Sequence, residues 1–277
     1  ISTDPTAVVK SSRYIISKNK LVHDMEQLAY LLVEGKLPSC FWPVLARYES
    51  VLNDGFETAD ADEKLLLSEK GFNIMGLFYN SLMHIPALPK IGRAINPKFQ
   101  FGLAQEQYKL SSPNFVIADD FLSQEALDAL LTFSLESTIW FDIKNGYFGA
   151  YSEDGFANNV LSDLVQELQV GFSEIIGDMP LAEQWAYKYD HDSRGISPHV
   201  DNALVNLNFW VVPDEANSNQ SSGGLDIILR EPPDNFNWFD YNNDGDLGSN
   251  LDKLDFFADA PRVQVPYKQN RLVMFKS

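Results

Sequence analysis

Near Pro113 the apolar residues of this 277-residue chain change their spacing, and that change constrains the fold more than any other feature. Upstream, Leu21, Met25, Leu28 and Leu32 recur every three or four residues in NKLVHDMEQLAYLLVEGK, the period of a helix with one apolar face, and Gly35 can stop it. FWPVLARYESVL repeats that period with Phe41, Leu45, Tyr48 and Leu52. A third helix is predicted from about Glu63 to Leu82, ahead of IPALPKIGRAINP, a connector whose prolines and glycine cannot continue it. Downstream, NFVIADDFL predicts a strand, and Ser123 caps a helix with Leu127, Leu130 and Leu131 on one face. Val160, Leu161, Leu164 and Leu168 line a further helix from Asn158 to Phe172. Short apolar runs then alternate with turns: WAYKYD, LVNLNFWVV, GLDIIL, RVQV and RLVMF. Helices followed by several short strands predict an α+β chain, with a helical region over 1–110 and a strand-rich domain over 111–277.

With 45% hydrophobic residues the chain can bury a core. Its 21 basic against 39 acidic residues leave a formal charge of −18, which argues against a nucleic-acid groove or an anionic membrane surface as partner. No run approaches the roughly 20 apolar residues of a membrane span. The single cysteine, Cys40, can form no internal disulfide, and the polar start ISTDPTAVVKSSRYIISKNK has no apolar leader core. Together these predict a cytoplasmic location. The absence of an initial methionine predicts a piece of a longer chain.

The histidines are His23, His84, His191 and His199. His23, beside Asp24 in an amphipathic helix, is predicted at the surface. His84, at a helix end before Pro86, is predicted to pack or cap, and His191, in YDHDSRG, to be solvated. His199 differs because Asp201 follows in SPHVDNALVNLNFW. On a strand, residues two apart face one side, so an imidazole and a carboxylate can meet at one ion. They would supply two of the three ligands of a facial triad for ferrous iron. The same spacing also fits a strand-end histidine hydrogen-bonded to a carboxylate, its commoner use.

The order Tyr189, HVDN at 199–202, an apolar strand, SGGL at Ser222–Leu225 and a closing RLVMFKS resembles the iron(II)- and 2-oxoglutarate-dependent oxygenases, in particular their prolyl-hydroxylase-like branch. The similarity covers about Pro113 to Ser277, and NFVIADDFLSQEALDALL is similar to that family's opening strand and helix. STIWFDIKNGYFGA and the helical first part resemble bacterial members fused to tetratricopeptide-like helices. The resemblance implies a double-stranded β-helix (jelly-roll, cupin-like) and assigns His199 and Asp201 as iron ligands. It implies that Tyr189 hydrogen-bonds the 2-oxoglutarate carboxylate and that Gly223 and Gly224 form the turn into a core strand. Asn208, polar within an apolar strand, would face the cosubstrate or hydrogen-bond a neighbouring strand. The implied cofactors are iron(II), 2-oxoglutarate and dioxygen. The implied reaction hydroxylates a protein side chain or small molecule, releasing succinate and carbon dioxide. The family also needs a second histidine and a basic residue after the strand matched by RLVMFKS. No histidine follows His199, so the final strand and the distal ligand are expected beyond Ser277.

Two other readings remain open. One is a non-catalytic binding module with a degenerate cupin-like barrel. The other is a calcium-stabilised structural protein using Asp240–Asp252. DYNNDGDL has oxygen-bearing side chains at loop positions one, three and five and then glycine, as in an EF-hand. Position twelve is Leu251, however, with Asp252 one place late, so a solvated acidic loop is the favoured reading. The long segment Glu231–Pro261 is expected to act as a lid or substrate wall. Asn219-Gln220-Ser221 is a glycosylation sequon without an export signal to give it use.

Overall fold

The computed structural model describes residues 14–56, 60–189, 196, 199–231 and 259–277. Helices and antiparallel sheets share these residues, an α+β chain as the change of period predicts. Among them no helix is long and apolar enough to cross a membrane. By internal contacts the chain forms two units that interleave along the sequence. The first comprises Ile1–Leu88, Thr132–Asn158 and Glu183–Arg194; the second comprises Pro89–Leu131, Asn159–Ala182 and Gly195–Ser277.

In the first unit, helix α1 (Lys18–Val33) begins at Ser17, whose side chain accepts from the Lys20 N–H. The chain leaves the helix through Gly35 at φ 65°, a left-handed conformation that glycine adopts without strain. Helix α2 (Trp42–Gly55) carries a proline in its first turn, where no N–H is needed. Leu21, Leu28 and Leu31 of α1 and Val44, Tyr48 and Val51 of α2 form one core cluster with Met75 and Tyr79. The third helix differs from the sequence expectation. Leu65–Leu66 (β2) pairs with Ile15–Ile16 (β1), so those backbone groups are spent on a strand pair, and α3 spans only Glu69–Met75. Ser68 restarts the helix by accepting from the Gly71 N–H, and turns follow Gly76.

The same unit holds an antiparallel sheet in the order β4-β5-β6: Asp142–Lys144, Tyr147–Tyr151 and Trp185–Tyr189. Gly146, at φ 80°, lies in the tight turn between β4 and β5. Alternation along the strands sorts the faces. One bears Ile143, Phe148 and Ala150, all buried, and the other bears Tyr147, Tyr151, Trp185, Tyr187 and Tyr189.

In the second unit, α4 (Phe101–Leu110) precedes β3 (Phe115–Ala118), and α5 (Gln124–Glu136) follows it, crossing the unit division at Thr132. Ser123 caps α5 as expected, its hydroxyl accepting from the Ala126 N–H. Helix α6 (Asn159–Gly171) buries Val160, Leu161, Leu164 and Leu168, the stripe read from the sequence. The strands β7 (Val205–Phe209), β8 (Leu225–Ile228), β9 (Arg262–Val265) and β10 (Leu272–Lys276) match the last four of the five short runs, the first, WAYKYD, being β6. They form an antiparallel sheet β3-β10-β7 and a separate β8-β9 pair. Phe115, Ile117, Val273 and Phe275 on one face of the sheet pack in a single cluster with Trp210 and with Leu225, Ile227, Val263 and Val265 of β8-β9. Residues of opposite parity, Val116, Leu272 and Met274, are buried on the other face, where Phe121 lies 5.8 Å from Phe209. The sheet is therefore covered on both sides.

Candidate functional site

His199 and Asp201 lie in irregular chain just ahead of β7, not on a strand as the alternation argument supposed. Local turn geometry brings them together instead. The Ala203 N–H donates to the Asp201 carbonyl at 2.8 Å, folding the chain back before β7 starts. Ser277, after β10, donates its hydroxyl to that carbonyl at 2.8 Å and its N–H to the Leu204 carbonyl at 3.3 Å. The central strand of the sheet thus anchors the turn.

His199 Nε2 stands 3.7 Å from Asp201 Oδ1, and the two side chains are 45% and 25% exposed. The other carboxylate oxygen, Oδ2, accepts from the Asn206 amide at 3.0 Å. Asn206 is buried, on β7, and register places it opposite Phe275 on the apolar face of the sheet. A buried amide there must find a partner, and in finding Asp201 it fixes the carboxylate's rotation and leaves Oδ1 toward the imidazole. Sequence reasoning missed Asn206, although it shares the strand parity of Asn208. Asn208 is half-buried on the same face, opposite Val273.

Tyr189 belongs to the first unit, at the end of β6, and the His199–Asp201 group belongs to the second. Tyr189 is half exposed and stacks on Tyr147 with centroids 5.1 Å apart. Burial, then Tyr147 and Tyr187, push its hydroxyl well above the usual phenol range, so it remains a neutral donor. At the turn into β8, Gly223 has φ 80°, and a Cβ on Gly224 would lie 2.1 Å from the Val265 carbonyl oxygen. Only glycine lets β8 begin so close to β9.

The donor set fits two positions of a facial iron site: one imidazole nitrogen and one oriented carboxylate oxygen. Among the described residues no three His, Cys, Asp or Glu side chains gather around one point. The acidic loop and its Asp240–Asp252 calcium reading lie outside the described residues, as does His191. Leu229 N–H donates to the Pro261 carbonyl at 2.8 Å, so the ends of that loop meet beside β8-β9.

A second polar group, in the first unit, corrects the surface reading of His23. The ring packs on Phe148 at 4.7 Å between centroids, and only 11% of the side chain is exposed. Its Nδ1–H donates to Asp24 Oδ1 at 3.0 Å, while Nε2 is buried with no hydrogen-bond partner. Lys20, itself buried, holds the other Asp24 oxygen. Burial pulls the His23 imidazole down to about 4; the Asp24 hydrogen bond opposes that, and Lys188 and Lys20 add to it. Burial alone would raise Asp24, but Lys20 and His23 outweigh it and hold the carboxyl below its ordinary range. Gln27, one turn on, donates to the Leu135 and Ser137 carbonyls at 3.1 and 2.9 Å. Lys20, Asp24 and Gln27 sit at helical spacing, a polar stripe visible in the sequence beside the apolar one. His84 does pack as expected: its backbone N–H donates to Thr138 Oγ1 at 2.9 Å, and its ring nears Glu136 at 3.8 Å.

Compared with known proteins, the chain matches no family model, no curated protein and no solved structure.

Proposed function

We propose that the chain functions as an iron(II)- and 2-oxoglutarate-dependent oxygenase that hydroxylates a protein side chain or a small molecule. The observation that carries this reading is the convergence of His199 Nε2 and Asp201 Oδ1 to 3.7 Å, with the carboxylate oriented by buried Asn206. The two-layer packing of β3-β10-β7 against β8-β9 supports a jelly-roll as the fold around it. The glycine pair at the start of β8 agrees with the same pattern.

Iron(II), when bound, supplies activation of dioxygen coupled to conversion of 2-oxoglutarate to succinate and carbon dioxide. The chain's own residues bind and orient. His199 offers a nitrogen lone pair, and Asp201 offers one carboxylate oxygen while Asn206 occupies the other.

The test is anaerobic titration with iron(II). His199→Ala and Asp201→Ala should each weaken binding by at least about tenfold. Equal affinity in both variants removes the metal from the proposal. Succinate release that requires both iron and 2-oxoglutarate would establish the reaction type.

A further inference from the structure

Strand β6 lies at the edge of the sheet β4-β5-β6, paired on one side with β5. Among the described residues no strand pairs with its other side. An edge of this kind is a template for any extended chain that approaches it. The strand reads Trp-Ala-Tyr-Lys-Tyr, three aromatic residues and one charge, a composition suited to strand pairing except at Lys188. That charge stands where it obstructs pairing most. Register sets Lys188 opposite Phe148, on the face that carries buried Ile143 and Ala150 rather than on the tyrosine face. Its Nζ stands 5.6 Å from the centre of the Trp140 ring, a contact that favours the charged form. The residue is half-buried. An ammonium on the inner face of an edge strand keeps its hydration by reaching past the edge, and a further strand laid there would remove it.

We propose that the open edge of β6 is a self-pairing surface whose partner is a second copy of this chain, and that the inward-facing Lys188 keeps the two copies apart. Two β6 strands paired antiparallel about a two-fold axis at Tyr187 would set Tyr187 against Tyr187 and Trp185 against Tyr189. Aromatic cross-strand pairs of that kind stabilise a sheet, so the tyrosine face favours the contact. The opposite face forbids it. The same register sets each Lys188 against an Ala186 and diagonal to the other Lys188, about 7–8 Å away. Like charges at that spacing repel, and the added strand would cut both ammonium groups off from water. Centring the axis on Lys188 instead would place the two lysines directly opposite, which is worse. Burial already pulls the ammonium down to about 8, with Asp24 opposing, so most of it is still charged at pH 7. A lysine held against its own burial weakens the single chain, and proteins give up stability in this way where it prevents a wrong pairing.

The full chain and its Lys188 variants are compared by sedimentation velocity at pH 7 over a range of concentrations, with circular dichroism to establish that each is folded. Lys188→Met should self-associate at least about tenfold more tightly than the wild type. Lys188→Arg, which keeps the charge, should match the wild type. Lys188→Gln, neutral but polar, should fall between Met and wild type, and it carries the test if the Met variant does not fold. Hydrogen exchange then locates the contact: where a neutral variant associates, the amides of Trp185–Tyr189 should gain protection over the same variant at dilution. Neutral variants that associate no more tightly than the wild type overturn the proposal. Association that leaves the β6 amides unprotected overturns it too, because the copies then meet elsewhere. Equal tightening in Lys188→Arg refutes the role given to the charge.

Discussion

Replacing His23 with phenylalanine should flatten the acid side of the stability curve. The imidazole is buried against Phe148, and its ordinary value of 6.5 falls to about 4 in the folded chain. Between those values the unfolded chain takes up a proton that the folded chain refuses, so stability must decrease as pH drops through that window. A difference of about 2.5 units corresponds to about 3 kcal/mol over the whole window, of which about 2.5 kcal/mol is lost by pH 4.5. Phenylalanine keeps the ring on Phe148 and removes nothing at the Nε2 position, which has no hydrogen-bond partner. It does forfeit the 3.0 Å bond to Asp24, a pH-independent cost of about 1 kcal/mol. The wild type should therefore be the more stable protein at pH 7 and the variant at pH 4.5, with urea unfolding followed by circular dichroism at each pH. A stability difference that stays constant within about 0.5 kcal/mol from pH 7 to 4.5 would show that His23 is not buried as a neutral ring.

Lys188→Met should raise stability at pH 7 by roughly 2 kcal/mol, because the folded chain holds that ammonium against its burial. Stability of the wild type rises as pH climbs from 8 to 10.5, so the gain should fade over that interval; a gain independent of pH would refute the cause. Gly224→Ala puts a methyl group 2.1 Å from the Val265 carbonyl oxygen and should cost about 2–3 kcal/mol through disruption of the β8-β9 pair, read as a lower Tm. An unchanged Tm would show that β8 and β9 are not so closely paired. Asn206→Leu should weaken cobalt(II) binding about tenfold by releasing the Asp201 carboxylate, and unaltered affinity in a folded variant would deny that amide its orienting role.

Elements whose cause is local could be read directly. The helical period of α1, α2 and α6, the serine cap of α5 and the five closing strands depend on neighbours a few residues away. The failed third helix shows the limit of such reading. Its first residues were diverted into pairing with Ile15–Ile16, a partner distant in the chain that no apolar spacing announces. In the candidate site the histidine and the acid could be named from their spacing, but the reason given for their meeting was incomplete. The turn before β7, closed by Ser277, brings them together, and Asn206 orients the acid.

The order of amino acids by itself determined the α+β character and singled out His199 and Asp201, because helical and strand periodicity act over a single turn or strand and the two residues are close neighbours in the chain. Only the tertiary structure decided which polar groups are cut off from water. His23 and Lys188 owe their altered chemistry to partners such as Phe148 and Trp140 that the chain brings back from far along its length. Desolvation arises from what covers a group, and that depends on residues remote from it in sequence.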